Sequence, residues 1–208
     1  MLYCFVKDKF LYLNIPRNGS NTFGDFFKSH GWEKHNLFEN KFDLTQMKLF
    51  GHLTDPNRRH TKGLAMYIRL NRLANSLDDP QIAKMLVSGV FDEHTCSISM
   101  MLGSLFYLPI TWIPLDLTVT QHRDGQSYTF DGNDLTNVFF KENNLDLHVS
   151  KSDIRNELVP EEKIIREKIS KLKLVYNQNY QQIFKNFIEP DMLLYSSILK
   201  KYRDQYES

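Results

Sequence analysis

Residues 10–27, FLYLNIPRNGSNTFGDFF, constrain the fold more than any other stretch of the chain. Residues 10–15 form an apolar run of aromatic and branched side chains, which reads as a buried strand. Pro16, Arg17, Asn18 and Gly19 break the run. Ser20, Asn21 and Thr22 then offer N-caps for a helix whose apolar positions are Phe23, Phe26 and Phe27. A strand that feeds a tight glycine turn and a helix start makes an anion site. The first backbone N–H groups of a helix have no intrahelical partner, and the macrodipole places partial positive charge there. Gly19 permits close approach to the backbone, Ser20 and Thr22 add hydroxyls, and Arg17 adds a permanent charge with a bidentate fork. The plainer alternative is a strand–turn–helix corner with a solvent-facing arginine.

The rest of the chain repeats the alternation. Residues 3–6 and 10–15, separated by Lys7-Asp8-Lys9, read as a hairpin or as an edge strand leading into the main one. The first helix is expected over about 22–29, ending at Gly31. Residues 32–46 are mixed, with Trp32, Leu37, Phe38 and Phe42 as buried anchors. A second apolar run, 47–53, leads through Thr54-Asp55-Pro56 into a helix continuing to about residue 77. Asp79-Pro80 opens a short helix closed by Gly89, and residues 95–106 read as another. Residues 110–119 are strand-like, and Asp124-Gly125 marks a type I′ hairpin between 117–121 and 127–130. Asp131 to Asn133 begin a helix, and Pro160 begins the longest one. Asn177-Gln178-Asn179 interrupt it, and Glu189-Pro190 separates a last helix over 192–202. Strands alternating with helices imply an α/β fold with a mostly parallel sheet covered by helices, in a single domain over 1–208. Ligands of such sheets sit beyond the carboxyl ends of the strands, where the turns at Arg17 and Asp55 both fall.

Composition narrows the function. With 208 residues and a formal net charge of +1, the chain has no global attraction to nucleic acid or to a membrane, so any anion site must be local. Two cysteines, neither in a CxxC pair, make a reducing, cytoplasmic setting the expectation. No apolar run reaches membrane-span length, and with strand-like residues from Leu2 onward a signal peptide is not expected. Metal-ligand spacings such as HxxxH or HExxH are absent.

The turn lacks GxxxxGK[ST] and so is not a Walker A loop. Pro16-Arg17-Asn18-Gly19-Ser20-Asn21-Thr22 instead resembles the 5′-phosphosulfate loop of sulfotransferases that use 3′-phosphoadenosine 5′-phosphosulfate (PAPS), Pro-Lys-x-Gly-Ser/Thr-x-Thr/Ser, with arginine in place of lysine. Residues 51–67 resemble the family's strand end followed by Arg-Asp-Pro-x-x-Arg-x-x-Ser-x-Tyr. Asp55, Pro56 and Arg59 are in register, but Thr54 replaces the arginine, Lys62 the serine, and Leu64 the aromatic. Asp92-Glu93-His94, Phe130-Asp131 and residues 176–184 resemble, in the same order, further elements of the carbohydrate-type enzymes.

The resemblance implies a P-loop-like three-layer fold and transfer of a sulfuryl group from PAPS to a hydroxyl of a carbohydrate or other alcohol, without a metal. It assigns the donor to residues 16–22 and to Thr54, Arg59 and Lys62. Thr54 would supply the hydroxyl and Lys62 the cation for the 3′-phosphate. Arg17 would stabilise the transferring group, and the general base would be His94, then His35, then His52. The basic cluster Arg58, Arg59, His60 and Lys62 at a helix start opposes the dipole, which favours a bound anion there. Two other readings stay open: a P-loop-like nucleotide kinase or hydrolase, and a non-catalytic relative that binds a nucleotide or glycan.

Overall fold

The computed structural model describes residues 2–39, 41–73, 77–88, 95–150, 153, 160–175 and 177–207. They cluster into two compact units. One is drawn from Met1–Thr54, Ser104–Arg155 and Leu193–Ser208, the other from Asp55–Gly103 and Asn156–Met192.

The first unit is built on a five-stranded sheet in the order β3-β1-β2-β4-β5. Its strands are β1 (Tyr3–Lys7), β2 (Phe10–Asn14), β3 (Glu33–Asn36), β4 (Lys48–Leu53) and β5 (Ile110–Pro114). β2, β4 and β5 run parallel, whereas β1 is antiparallel to both β2 and β3. The sheet is therefore mixed rather than mostly parallel. The cause is local. The turn after Lys7, with Asp8 in the left-handed region at φ 52°, folds β1 straight back on β2.

Phe5, Tyr12 and Phe50 stand in one cross-strand row and are buried. Against that face lie α1 (Ser20–Ser29) and α5 (Gly132–Glu142), through Phe23, Phe26, Phe27, Phe139 and Phe140. Eight of the fifteen phenylalanines are buried in this one cluster, so the aromatic richness of the sequence is a core property rather than a surface one. A separate hairpin, β6 (Val119–Arg123) with β7 (Gln126–Phe130), turns at Asp124 and Gly125 with φ of 53° and 75°, as a type I′ turn requires.

The second unit is helical. α2 (Pro56–Leu70), α3 (Asp79–Ser88) and α6 (Pro160–Val175) bury Leu64, Ile68, Ile82, Leu86, Ile165 and Ile169 together. Glu162, almost fully buried, is paired with Arg166 and Arg69. The short helix α4 (Ile98–Leu102) is held by Asp191, whose carboxylate accepts from the N–H groups of Ile98 (2.7 Å) and Ser99 (3.1 Å).

Several boundaries differ from the sequence-based expectation. α2 stops at Leu70 rather than near 77, and the expected helix over 95–106 is α4 followed by a 3₁₀ turn, Gly103–Tyr107. Phe38 is 59% exposed and is not an anchor, unlike Trp32 and Leu37. Among the described residues the longest helix is not the one from Pro160 but α7 (Asn177–Tyr206), which starts at the expected interruption and runs through Pro190, where a separate last helix was expected. Among the described residues no helix is long and apolar enough to cross a membrane.

Candidate functional site

After β2 the chain makes a tight turn that closes with the Asn18 N–H donating to the Ile15 carbonyl at 3.2 Å. Arg17 and Gly19 both take left-handed backbone, at φ 69° and 77°. For Gly19 this is a requirement, because a Cβ there would lie 2.9 Å from the Phe23 ring. For Arg17 it is strain, roughly 1–2 kcal/mol for a residue with a side chain. α1 begins at once, with Gly19 as N-cap and no side chain capping it. The expected helix start at Thr22 therefore moves forward to Ser20, and the first N–H groups of α1 receive no side-chain cap at this strand end.

Asn18 explains how the turn is held. It is 1% exposed, and its Oδ1 accepts from both the backbone N–H (3.2 Å) and the hydroxyl (2.8 Å) of Thr54, just beyond β4. The two regions singled out in the sequence, 36 residues apart, thus meet through one side chain. The Asn18 Nδ2 is buried and makes no hydrogen bond among the described residues, which leaves an amide donor at the turn. Thr54 directs its hydroxyl proton at Asn18, so it braces the turn and has no proton to offer a phosphate in this arrangement.

Leu115, immediately after β5, completes the corner. A Cβ on Gly19 would lie 3.0 Å from its side chain, and a Cβ on Gly132 would lie 2.6 Å from its Cα. The ends of β2, β4 and β5 and the start of α5 therefore converge here. Half-buried Asp116 follows Leu115 directly. It is a carboxylate that sequence reasoning missed; its one signal was a position just past an apolar strand run.

His52 lies on β4 but is fully buried and stacked on Phe23 at 3.7 Å. Its hydrogen bonds settle its tautomer. Thr136 donates its hydroxyl proton to the Gly132 carbonyl (2.7 Å), so it accepts from His52 Nε2–H (3.1 Å), and Nδ1 accepts from the Tyr12 hydroxyl (3.1 Å). Both ring nitrogens of His52 are thus satisfied with the imidazole neutral, and burial lowers its pKa to about 3. His52 is a core residue, closed to an acceptor. His35 sits half-buried on edge strand β3, its Nε2 3.3 Å from Glu33. Two strand spacings, about 10 Å, separate β3 from β2. His94, with Asp92 and Glu93, lies outside the described residues, as does Tyr176.

In the second unit, Asp55 caps α2 by accepting from the Arg58 N–H at 2.9 Å. Arg59 is buried, and its guanidinium donates to the Cys96 carbonyl at 2.7 Å, which ties α2 to the segment before α4. Lys62 is half-buried one turn further along. Lys173, from α6, reaches the same end of α2 and donates to Thr61 Oγ1 (2.6 Å) and the Asn57 carbonyl (3.3 Å). Burial pushes Lys173 down to about 7, with Asp55 opposing. Burial, then Lys173 and Arg59, lower His60 to about 3. No local sequence pattern announces Lys173, since it looks like one more lysine of a charged helix.

Among the described residues no three His, Cys, Asp or Glu side chains converge as a metal site would need. Both cysteines are free thiols, and burial raises Cys4 to about 12. No family model, curated protein or solved structure matches the chain.

Proposed function

We propose that this chain is a metal-independent, cytoplasmic sulfotransferase with a P-loop-like fold, moving a sulfuryl group from PAPS to a hydroxyl of a carbohydrate or other alcohol. The observation that carries the reading is the start of α1. An uncapped helix N-terminus stands at the carboxyl end of a parallel strand, beside a strained arginine and a buried amide donor. An oxyanion is the ligand this arrangement suits. In the reaction the acceptor oxygen bonds to sulfur, the bond from sulfur to the bridging oxygen breaks, and 3′-phosphoadenosine 5′-phosphate (PAP) leaves. Arg17 and the N–H groups of residues 20–22 would stabilise the charge growing on the bridging oxygen. The acceptor proton goes to a base, and Asp116 joins His94 and His35 as a candidate for that role.

For the 3′-phosphate, Thr54 gives its hydroxyl proton to Asn18 and Arg59 its guanidinium to the Cys96 carbonyl, and Lys62 is the cation that the resemblance assigns to it. The same engagement favours one second reading, a relative that binds 5′-phosphosulfate and has lost 3′-phosphate recognition. Thermal-shift titration with PAP, adenosine 5′-phosphosulfate, ADP and ATP, followed by turnover of labelled PAPS on a panel of alcohols, tests both. PAP binding tightest and transfer without added metal are expected. Binding of ATP only with magnesium would overturn the proposal in favour of a kinase or hydrolase.

A further inference from the structure

Apart from the start of α1, the first unit holds a groove of about 760 Å³ between β7, α5 and residues 145–148. Its volume falls within the range of small-molecule clefts, about 300–1,000 Å³. The far wall is fixed rather than loose. The Asn137 side chain on α5 accepts from the Val149 N–H at 2.7 Å and donates to the Val149 carbonyl at 3.0 Å, which clamps the segment to the helix. On the near wall the Tyr128 ring is 46% exposed, and its hydroxyl donates to Gln126 at 2.7 Å, which sets the direction of the ring.

The lining decides the ligand class. An exposed aromatic face with apolar neighbours such as Leu147 suits the C–H face of a pyranose, and the carboxylates of Asp134 and Asp146 accept from hydroxyls. Asp134 uses its Oδ2 on the Asp131 N–H (3.0 Å), which leaves Oδ1 for a ligand. Two carboxylates face one permanent cation, Lys141, beside His148, which disfavours a nucleotide or a sulfated chain.

We infer that this groove binds a neutral oligosaccharide. Its Asp134 end lies in the first turn of α5, whose Gly132 rests on Leu115 beside Gly19. The added statement that the sugar is the acceptor rests on the sulfotransferase reading.

The test uses the full chain without nucleotide, titrated with cellotriose and chitotriose by calorimetry and amide NMR. A heparin disaccharide serves as polyanion control and spermidine as cation control. At least one trisaccharide is expected to bind at millimolar concentration or better, with amide shifts confined to β7, α5 and residues 145–149. Tyr128→Ala should weaken it tenfold or more, while Tyr128→Phe, which keeps the ring, should stay within twofold. No binding of either trisaccharide, unchanged binding by Tyr128→Ala, or tighter binding of either control would overturn the inference. Sugar binding without sulfuryl transfer sinks the enzyme reading alone. PAP binding without sugar binding sinks the groove alone.

Discussion

Helices α1 and α5 belong to the same unit, follow strands or their immediate extensions, and meet in one core where Phe26 and Phe140 lie parallel at 6.2 Å. Their first turns are opposites. α5 opens on a complete capping box, in which Asp131 accepts from Asn133 and Asp134 N–H groups and Asp134 accepts from the Asp131 N–H. α1 opens on Gly19 with no side-chain cap, after an arginine in left-handed backbone. A cap is worth about 1 kcal/mol, and the strain at Arg17 costs about as much again. One chain thus closes one helix start and leaves the other exposed. The open start forgoes the side-chain cap that α5 has, because position 19 takes only glycine, and on the proposed reading a bound oxyanion would offset the loss.

Breaking the open turn should give the largest effect. Arg17→Ala is expected to lower transfer from PAPS by roughly 10²–10³, the loss typical of one preorganised oxyanion donor, with little change in melting temperature. Unchanged turnover would remove Arg17 from the mechanism. Next comes the second cationic helix start. Lys62→Ala should weaken PAP by about 1.5–3 kcal/mol and leave adenosine 5′-phosphosulfate unaffected. Equal weakening of both ligands, or of neither, would end the assignment of the 3′-phosphate to Lys62.

His52, between the two helices, sharpens the comparison through pH. The unfolded chain protonates this group near 6.5 and the folded protein only near 3, so stability falls as pH drops below 6.5. That contribution is about 2 kcal/mol by pH 5. Urea unfolding of His52→Gln at pH 7 and pH 5 should show a shallower loss than the parent, and identical slopes would contradict a neutral, buried imidazole. The smallest effect belongs to the closed turn. Asp131→Ala should cost about 1 kcal/mol of stability and leave PAP affinity as it was. A matching loss of affinity would mean that the two starts do not differ in role.

What the sequence made legible was whatever local chemistry dictates. Asp124-Gly125 could only be a tight turn, Asp55-Pro56 and Asp131 could only begin helices, and Phe10 onward could only be buried strand. The structure departs where the cause is distant. Glu33-Lys34-His35-Asn36 has no apolar pattern and becomes β3 because β1 offers it backbone partners. Pro190 sits within α7, where its missing N–H and its ring mark a break by local chemistry alone. At the site, Arg17 and Gly19 were readable from composition. The Asn18–Thr54 bond, the burial of Arg59 and the arrival of Lys173 join residues far apart in sequence, and no local pattern encodes them.

β3 has one more consequence, for the behaviour of this protein at high concentration. The inner strands β1, β2 and β4 are rich in Phe, Tyr and Leu, the composition that recruits further strands and seeds aggregates. β3 is four residues long, and Glu33 and Lys34 are exposed on it. Lys34 lays its ammonium 3.6 Å from the Tyr3 ring centroid, which spends the charge on pinning the strip in place. Strand addition from another molecule would have to proceed against this short charged border, so the sheet ends there instead of propagating. Replacing Glu33 and Lys34 with valine would leave the fold's interior untouched and turn a soluble edge into a sticky one.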